Sequence, residues 1–481
     1  MNNASLATRL DPQVRKVAVV VIVGGLAAIF DTTIVSVALH TLVSQLHTTV
    51  ATIQWVSTGY LLALGITIPL VGWAQRRFGA KRLWMFALLV FLVGSIASSL
   101  AWSAPSLITF RVVQGIGGGL MAPLMSALVM QAAGGKAIGR AMSVVSLPAS
   151  LGPIVGPVLG GTILNFLDWR WLFWVNVPFC VIGFILAWKL LPTDALAARG
   201  RLDVWGFALL SPGIVGILYG ISNASNPGGF SRGDVLLPAI FGIVLLGGFV
   251  LHATRVGERA LVDVRLLTRR AVSSSSVLLF LSGGALFGVM LLLPLYFQEI
   301  RGASAVTAGV LLIPQGIGTL LSRSAAGRLT DSLGPRWVSF AGFVLVGAAT
   351  IPFALATPTS NEWVLAGILL VRGFGFGAVT TSLFAAAFVG LDRKEIPDAS
   401  IITRIALQIG GSFGVAILAV ILDSGQSSSR GSGDASVAAF DQAFWWSIGF
   451  TALAVILALA LPGRPRTLAS GPTPAETAKA Q

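Results

Sequence analysis

The chain has 481 residues, 55% of them apolar and 10% charged, with a mean hydropathy of +0.87. A soluble globular protein carries about 25% charged residues, so this chain cannot cover itself in water and its solvent is a bilayer. One cysteine (Cys180) and three histidines exclude an internal disulfide and argue against a zinc or haem site, so neither metal nor cofactor is expected.

Apolar spans begin near Val17, Gln54, Leu83, Ser106, Ala141, Trp171, Val204, Val235, Val272, Ala305, Trp337, Trp363, Ala399 and Phe444. Each is close to the ~20 residues a helix needs to cross a membrane. The first runs from Val17 past Asp31 to Leu39 with no small-residue cleavage pattern after it, so it reads as a span and not a signal peptide. The net charge of +14 would suit nucleic acid, but the basic residues follow topology instead. With the N-terminus inside, the outer loops hold only Arg170, Arg232, Arg301 and Arg430. Arg111, Arg372 and Arg404 fall within spans, and every other Lys and Arg lies in an inner segment. No nucleic-acid partner is therefore expected. An even span count puts both termini in the cytoplasm of a multi-pass protein of the cell (inner or plasma) membrane. The tail 464–481 reads as disordered and the Gly/Ser-rich loop Asp423–Asp441 as flexible.

Two patterns recur at nearly one separation. Gly72-Trp-Ala-Gln-Arg76-Arg-Phe-Gly79 follows the second span, and Gly327-Arg-Leu-Thr-Asp331-Ser-Leu-Gly334 follows the tenth. Gln114-Gly-Ile-Gly-Gly-Gly119 lies in the fourth span and Arg372-Gly-Phe-Gly-Phe-Gly377 in the twelfth. Matching offsets mark a duplication: residues 1–198 as a six-helix bundle, 199–256 as two inserted helices and 257–463 as a second six-helix bundle. Parallel repeats of this kind are built by transporters, with substrate held between the repeats near the midplane.

These residues resemble the major facilitator superfamily, and within it the fourteen-span drug:proton antiporters. Phe30-Asp31-Thr32-Thr33 looks like the acidic first-helix motif, and Arg111-Val-Val-Gln114-Gly115 like the basic fourth-helix motif. Gly152-Pro153-Ile-Val-Gly156-Pro157-Val-Leu-Gly160 is similar to the antiporter motif of the fifth helix. Trp169-Arg170-Trp171 through Asn176 and Pro178 also fits. Gly72 to Lys81 is similar to the superfamily's loop motif, but Arg76 stands where that motif has Asp. The resemblance implies an all-α fold of fourteen transmembrane helices and proton-driven export of hydrophobic or amphipathic, preferably cationic, drugs by alternating access. It implies a working monomer whose partners are a small-molecule substrate, protons, lipid and accessory efflux components. Alternatives are a dedicated exporter of one metabolite or antibiotic, an uptake symporter and a non-transporting membrane sensor. An enzyme is not expected: Gly410-Gly-Ser412-Phe-Gly414 matches a hydrolase elbow in letters only, inside an apolar helix.

Asp31 is the only carboxylate deep inside a span. An acid there costs about 2.5–3.5 kcal/mol on insertion scales and is functional by default; the alternative is a fixed ion pair for helix packing. Asp31 lies about 21 Å from the inner surface and so about 9 Å from the outer one, while Arg111 enters from outside to about 8 Å. The two charges share a level, which makes Asp31 and Arg111 the proton-coupling candidates.

Trp55, Tyr60, Gln114 and Gln408 are candidates for the substrate cavity wall together with Gln54, Trp55 serving equally well in an interfacial belt. Arg372 is a deep cation whose partner is open between a backbone carbonyl and substrate, and Arg404 reads as reaching back to the inner surface. Gly152, Gly156 and Gly160 share one helix face, which in the family lies between the bundles, with Pro153 and Pro157 bending the helix. In the superfamily the loop motif's acid faces the start of the eleventh core helix, here the thirteenth span. Asp398 precedes that span, so Arg76 and Asp398 form a candidate charge swap at the inner gate; otherwise Asp398 is an N-cap and Arg76 a topology signal. Gly72, Gly79, Gly327, Asp331 and Gly334 complete the gating candidates.

Overall fold

The computed structural model describes residues 11–134, 138–145, 147–192, 201–224, 231–303, 305–357, 359–392, 394–427 and 433–463. The first half comprises α1 (Pro12–Gln45), α2 (Val50–Thr67), α3 (Leu70–Phe78), α4 (Ala80–Ser99), α5 (Ala104–Ala133), α6 (Ile138–Val145), α7 (Leu147–Phe166), α8 (Trp171–Trp174) and α9 (Asn176–Leu190). Two inserted helices follow, α10 (Val204–Asn223) and α11 (Gly233–Val256). The second half comprises α12 (Arg270–Leu295), α13 (Ala305–Leu333), α14 (Pro335–Ala354), α15 (Glu362–Ala387), α16 (Ile396–Ser427) and α17 (Gly433–Ala458). Among the described residues there is no strand, as a bilayer demands of any chain that is not a closed barrel.

Among the described residues, eleven helices are long and apolar enough to cross a membrane, twelve if α2 and α3 count as one bent span. The two remaining segments expected to cross are helical as well: α7 over 20 residues, and α13 over 29. Local chemistry sets the ends. Asp11 caps α1 by accepting from Gln13 N at 2.7 Å. Ser103 and Ser106 form a reciprocal capping box at the start of α5, and Gly134 ends it in the left-handed region at φ 58°. Pro69 has no N–H to continue the ladder, and α2 and α3 meet there at 57°. The helices intrude into the expected flexible loop Asp423–Asp441, α16 running to Ser427 and α17 starting at Gly433. The tail 464–481 lies outside the described residues.

The halves repeat their packing. In the first, α4 and α2 pack on α5 and α1 packs on α7; in the second, α14 and α13 pack on α15 and α12 packs on α16. The glycine strings make this close. A Cβ on Gly117 would lie 2.6 Å from Phe91 N of α4, and one on Gly119 2.7 Å from Leu64 O of α2. In the second half a Cβ on Gly375 would lie 2.9 Å from Gly342 O of α14. The two halves meet through α6 and α7 against α13, and through α3 and α5 against α16. The inserted helix α10 lies along this seam, touching α2 of one half and α16 of the other. Ser211 Oγ donates to Ile66 O at 2.8 Å, and Ile217 and Ile221 pack with Ala416.

Candidate functional site

Four helices of the first half converge on Asp31, which has no exposed surface. Arg111 Nη1 donates to Asp31 Oδ2 at 2.5 Å and to Gln114 Oε1 at 2.6 Å, while its Nε donates to Val56 O at 3.2 Å. Gln114 Nε2 donates to Asp31 Oδ1 at 2.8 Å and to Ser95 Oγ at 2.7 Å. Asn176 Nδ2 donates to the same carboxylate oxygen at 3.0 Å. The Arg111 guanidinium also lies 4.3 Å from the centre of the Tyr60 ring. The carboxylate thus holds one guanidinium and two amide donors, in a medium where such bonds are strong and an unpaired charge is costly.

The depth arithmetic pairs Asp31 with Arg111, and the structure brings them together. Tyr60 and Gln114 join this cluster and are buried, a correction to their expected place in the cavity wall. Hydropathy gives no hint of Ser95 or Asn176: a lone Ser or Asn hardly perturbs an apolar run. The only signal for Asn176 is its place in the string that begins at Trp169. Trp55 is 41% exposed, with its ring centre 6.0 Å from that of Tyr219 of α10. The side chain of Gln54 lies outside the described residues.

The second half has a parallel cluster without an acid. Arg372 sits 258 residues after Gln114, in the equivalent place of the repeat. Its Nε donates to Thr350 Oγ1 at 3.1 Å, its Nη1 to Gln315 Oε1 at 3.0 Å and its Nη2 to Ala285 O at 3.2 Å. Ser95 and Thr350 correspond in the repeat, each 16 residues past the glycine that ends the loop motif. Arg372 is therefore satisfied by two side chains and a carbonyl, and the acid belongs to one half only.

At the inner end, so named for its Lys and Arg, ion pairs join the halves. Arg76 Nη1 lies 3.1 Å from Asp398 Oδ1. Asp398 is the third residue of α16, inside its first turn and not at the N-cap that was the alternative to the charge swap. Arg140 Nε lies 3.1 Å from Asp331 Oδ2, and Arg140 N also donates to that oxygen at 3.4 Å. Each loop motif thus meets the first turn of a helix in the other half, with the charges exchanged. Gly72 makes room, since a Cβ there would lie 2.6 Å from Asp398 Oδ1. Gly79 and Gly334 end their motifs at φ 84° and φ 90°, where a side chain would be strained. Gly327 is buried in α13, one turn before Asp331.

Three expectations about placement change. The glycine strip does not face the other half. A Cβ on Gly152 would lie 2.6 Å from Ile29 Cγ2, one on Gly156 would overlap Thr33, and one on Gly160 would lie 3.2 Å from Ile34 O, all on α1. The side chains of Pro153 and Pro157 lie outside the described residues. Arg404 does not reach the inner surface: its guanidinium lies 4.8 Å from the centre of the Phe384 ring, and its Nε is buried. Arg323, counted with the inner segments by sequence, is only 4% exposed within α13. Gln408 is half-buried one turn beyond Arg404.

Two membrane-spanning helical bundles that repeat one packing are the architecture of a transporter. The chain belongs to the major facilitator superfamily, whose family pattern its residues 21–415 match; proteins of this family move small molecules across membranes. It is 38% identical over 420 residues to the multidrug resistance protein B homolog of Mycobacterium tuberculosis, covering 87% of this chain and 78% of that one. It is 29% identical over 417 residues to the lincomycin resistance protein LmrB of Bacillus subtilis, covering 86% of each. The fold is similar to that of the human organic anion transporter MFSD10 (TETRAN), with a TM-score of 0.65 at 16% identity over 93% of this chain and 100% of that one.

Proposed function

We propose that this protein is a proton-coupled antiporter that exports hydrophobic or amphipathic drugs by alternating access, from a cytoplasmic membrane with both chain ends inside. The relatives named for multidrug and lincomycin resistance support the drug-export part. The observation that carries the coupling is the Asp31 cluster: the single deep acid of the chain, fully buried and tied to Arg111, Gln114 and Asn176.

The unit of the proposal is the first half, 1–198, with 199–256 as a brace along the seam and 257–463 as its moving partner. With the inner end joined by Arg76–Asp398 and Arg140–Asp331, the arrangement corresponds to an outward-facing state. Protonating Asp31 removes the charge that Arg111 faces, leaving Arg111 with Gln114 Oε1 and Val56 O. Asn176 Oδ1, buried and without a partner, offers an acceptor to the protonated acid once the amide turns. Loss of the ion pair loosens α1 from α5, and α1 carries that change to α7 along the glycine strip. Because Asp31 has no exposed surface here, substrate competes with the proton through this rearrangement and not by sitting on the carboxylate. A cationic substrate is therefore not required.

The test is a drug-susceptibility panel in an efflux-deficient host, wild type beside Asp31→Asn. The proposal expects wild type to raise tolerance to several unrelated hydrophobic drugs and Asp31→Asn, present in the membrane at equal level, to raise none. Equal protection by both proteins would contradict it, and protection against a single compound would favour a dedicated exporter.

A further inference from the structure

A cavity of about 410 Å³ lies on the outside of the first half, beside the 57° bend between α2 and α3. Its walls are the end of α2, the helix α3, the first turns of α4 and the middle of α5. α5 turns Gly115 and Gly119 onto α2, and Gly117 onto α4. Ile116 and Leu120 lie between those two contacts, on the side away from Arg111, and form the back wall. Phe78, Phe86 and Ile116 are exposed, so the cavity faces hydrocarbon and not the Asp31 cluster.

The lining is apolar except at two places. One is Thr67, whose Oγ1 donates to Ala63 O at 2.6 Å and is satisfied within its own helix. The other is Arg82, the third residue of α4, exposed at the inner end. Two basic neighbours are engaged: Arg76 with Asp398, and Lys81 Nζ with Trp188 O at 2.7 Å and Leu191 O at 2.8 Å. Among the described residues no carboxylate pairs with Arg82. Phe91, which meets Gly117 beside the back wall, lies nine residues after Arg82 on α4. The slot therefore runs about 14 Å from the cation into the membrane, about the depth of one leaflet of a ~30 Å core.

α3 stands between this slot and the other half. Leu70, Trp73, Ala74 and Phe78 line the slot, while Gly72 and Arg76, on the opposite face, meet Asp398 of α16. We infer that the slot holds one acyl chain of an anionic phospholipid of the inner leaflet, with its phosphate on Arg82, and that this chain backs α3 where it closes on α16. Both parts of the lipid find a match: the chain an apolar slot one leaflet long, the phosphate a planar guanidinium at its mouth. The cytoplasmic leaflet is also where anionic lipids draw in basic residues beside a span. Left empty, the slot would deprive its walls of contacts and α3 of support on one side. The inference concerns a lipid and stands whether or not the protein exports drugs.

The experiment places the full-length protein in phosphatidylcholine nanodiscs with a small fraction of a lipid whose acyl chain carries a photoactivatable group, and maps the labelled peptides by mass spectrometry. Phosphatidylglycerol should label α3 and the Ile116 region of α5 about tenfold more than phosphatidylcholine with the same chain, the discrimination expected of one charge-assisted hydrogen-bonded pair. Arg82→Gln should erase that preference. Ile116→Trp, which fills the slot, should lower labelling there by both lipids, and labelling of the lipid-facing helix α11 should stay at the wild-type level in both variants. Amides of α3 should exchange hydrogen about fivefold more slowly in phosphatidylglycerol than in phosphatidylcholine nanodiscs for wild type, and equally in the two for Arg82→Gln. Equal labelling of the slot by the two lipids in wild type, or a preference that survives Arg82→Gln, would mark ordinary boundary lipid and overturn the inference. Displacement of the label by a hydrophobic drug but not by excess unlabelled phosphatidylglycerol would overturn it in favour of a drug site. Exchange in α3 that ignores the lipid would refute the support of α3.

Discussion

Arg76 of α3 and Asp398 of α16, 3.1 Å apart, tie the two halves together at the inner end with the reverse polarity of the Asp331–Arg140 pair across the same seam. Where the superfamily's loop motif has an acid against a helix start, this chain has a cation, and the helix supplies the acid. A positive helix N-terminus would repel Arg76; Asp398 in the first turn of α16 cancels that repulsion.

A mutant cycle tests this pair. Asp398→Arg should lower export by placing two cations together, and adding Arg76→Asp should restore much of it. A partly exposed pair contributes up to about 1 kcal/mol, enough to shift the inward–outward balance about fivefold. Initial rates of dye efflux read the effect. Losses that simply add in the double mutant would leave the two residues energetically independent.

The packing of α7 on α1 predicts a graded glycine series. Gly156→Ala drives a methyl into Thr33 and should cost about 1–3 kcal/mol of stability by overpacking, with loss of export. Gly161→Ala, whose added methyl meets nothing within 4 Å, should be neutral in both. Thermal unfolding of the purified variants, read beside efflux, checks the order. A Gly161→Ala variant as damaged as Gly156→Ala would contradict the packing.

Arg111 serves three acceptors at once: Asp31 Oδ2, Gln114 Oε1 and Val56 O. A lysine is a point charge on a flexible stem and cannot reproduce that fork. Arg111→Lys should therefore keep the protein in the membrane but slow gradient-driven export at least about tenfold, the equivalent of one charge-assisted bond. Transport assays at matched membrane levels decide it, and wild-type rates in Arg111→Lys would show that charge alone suffices.

Much of this was legible in the sequence, and the reasons are physical. Hydropathy and the duplicated motifs are one-dimensional signals, so the helices and the repeat could be read directly. A lone deep acid and a deep arginine at one level have few partners to choose from, so Asp31 and Arg111 could be paired. Which way a side chain turns was harder. Tyr60 and Gln114 face the Asp31 cluster because α2 and α5 approach on glycines, a detail of helix rotation that spacing alone leaves open. The strip Gly152–Gly156–Gly160 marks a close contact but does not name the helix it meets. Arg323 escaped notice because its neighbourhood turns polar toward Asp331, although α13 continues through both residues. Ser95 and Asn176 carry no charge, and only the folded cluster reveals them.

The central claim is that Asp31 carries the coupled proton. Its most direct test is substrate-induced proton release in energised everted vesicles, comparing wild type with Asp31→Asn at equal membrane levels and with equal acidification before substrate is added. The account predicts that substrate triggers proton release from wild-type vesicles and none above background from Asp31→Asn vesicles. Release equal to wild type from the mutant would contradict it.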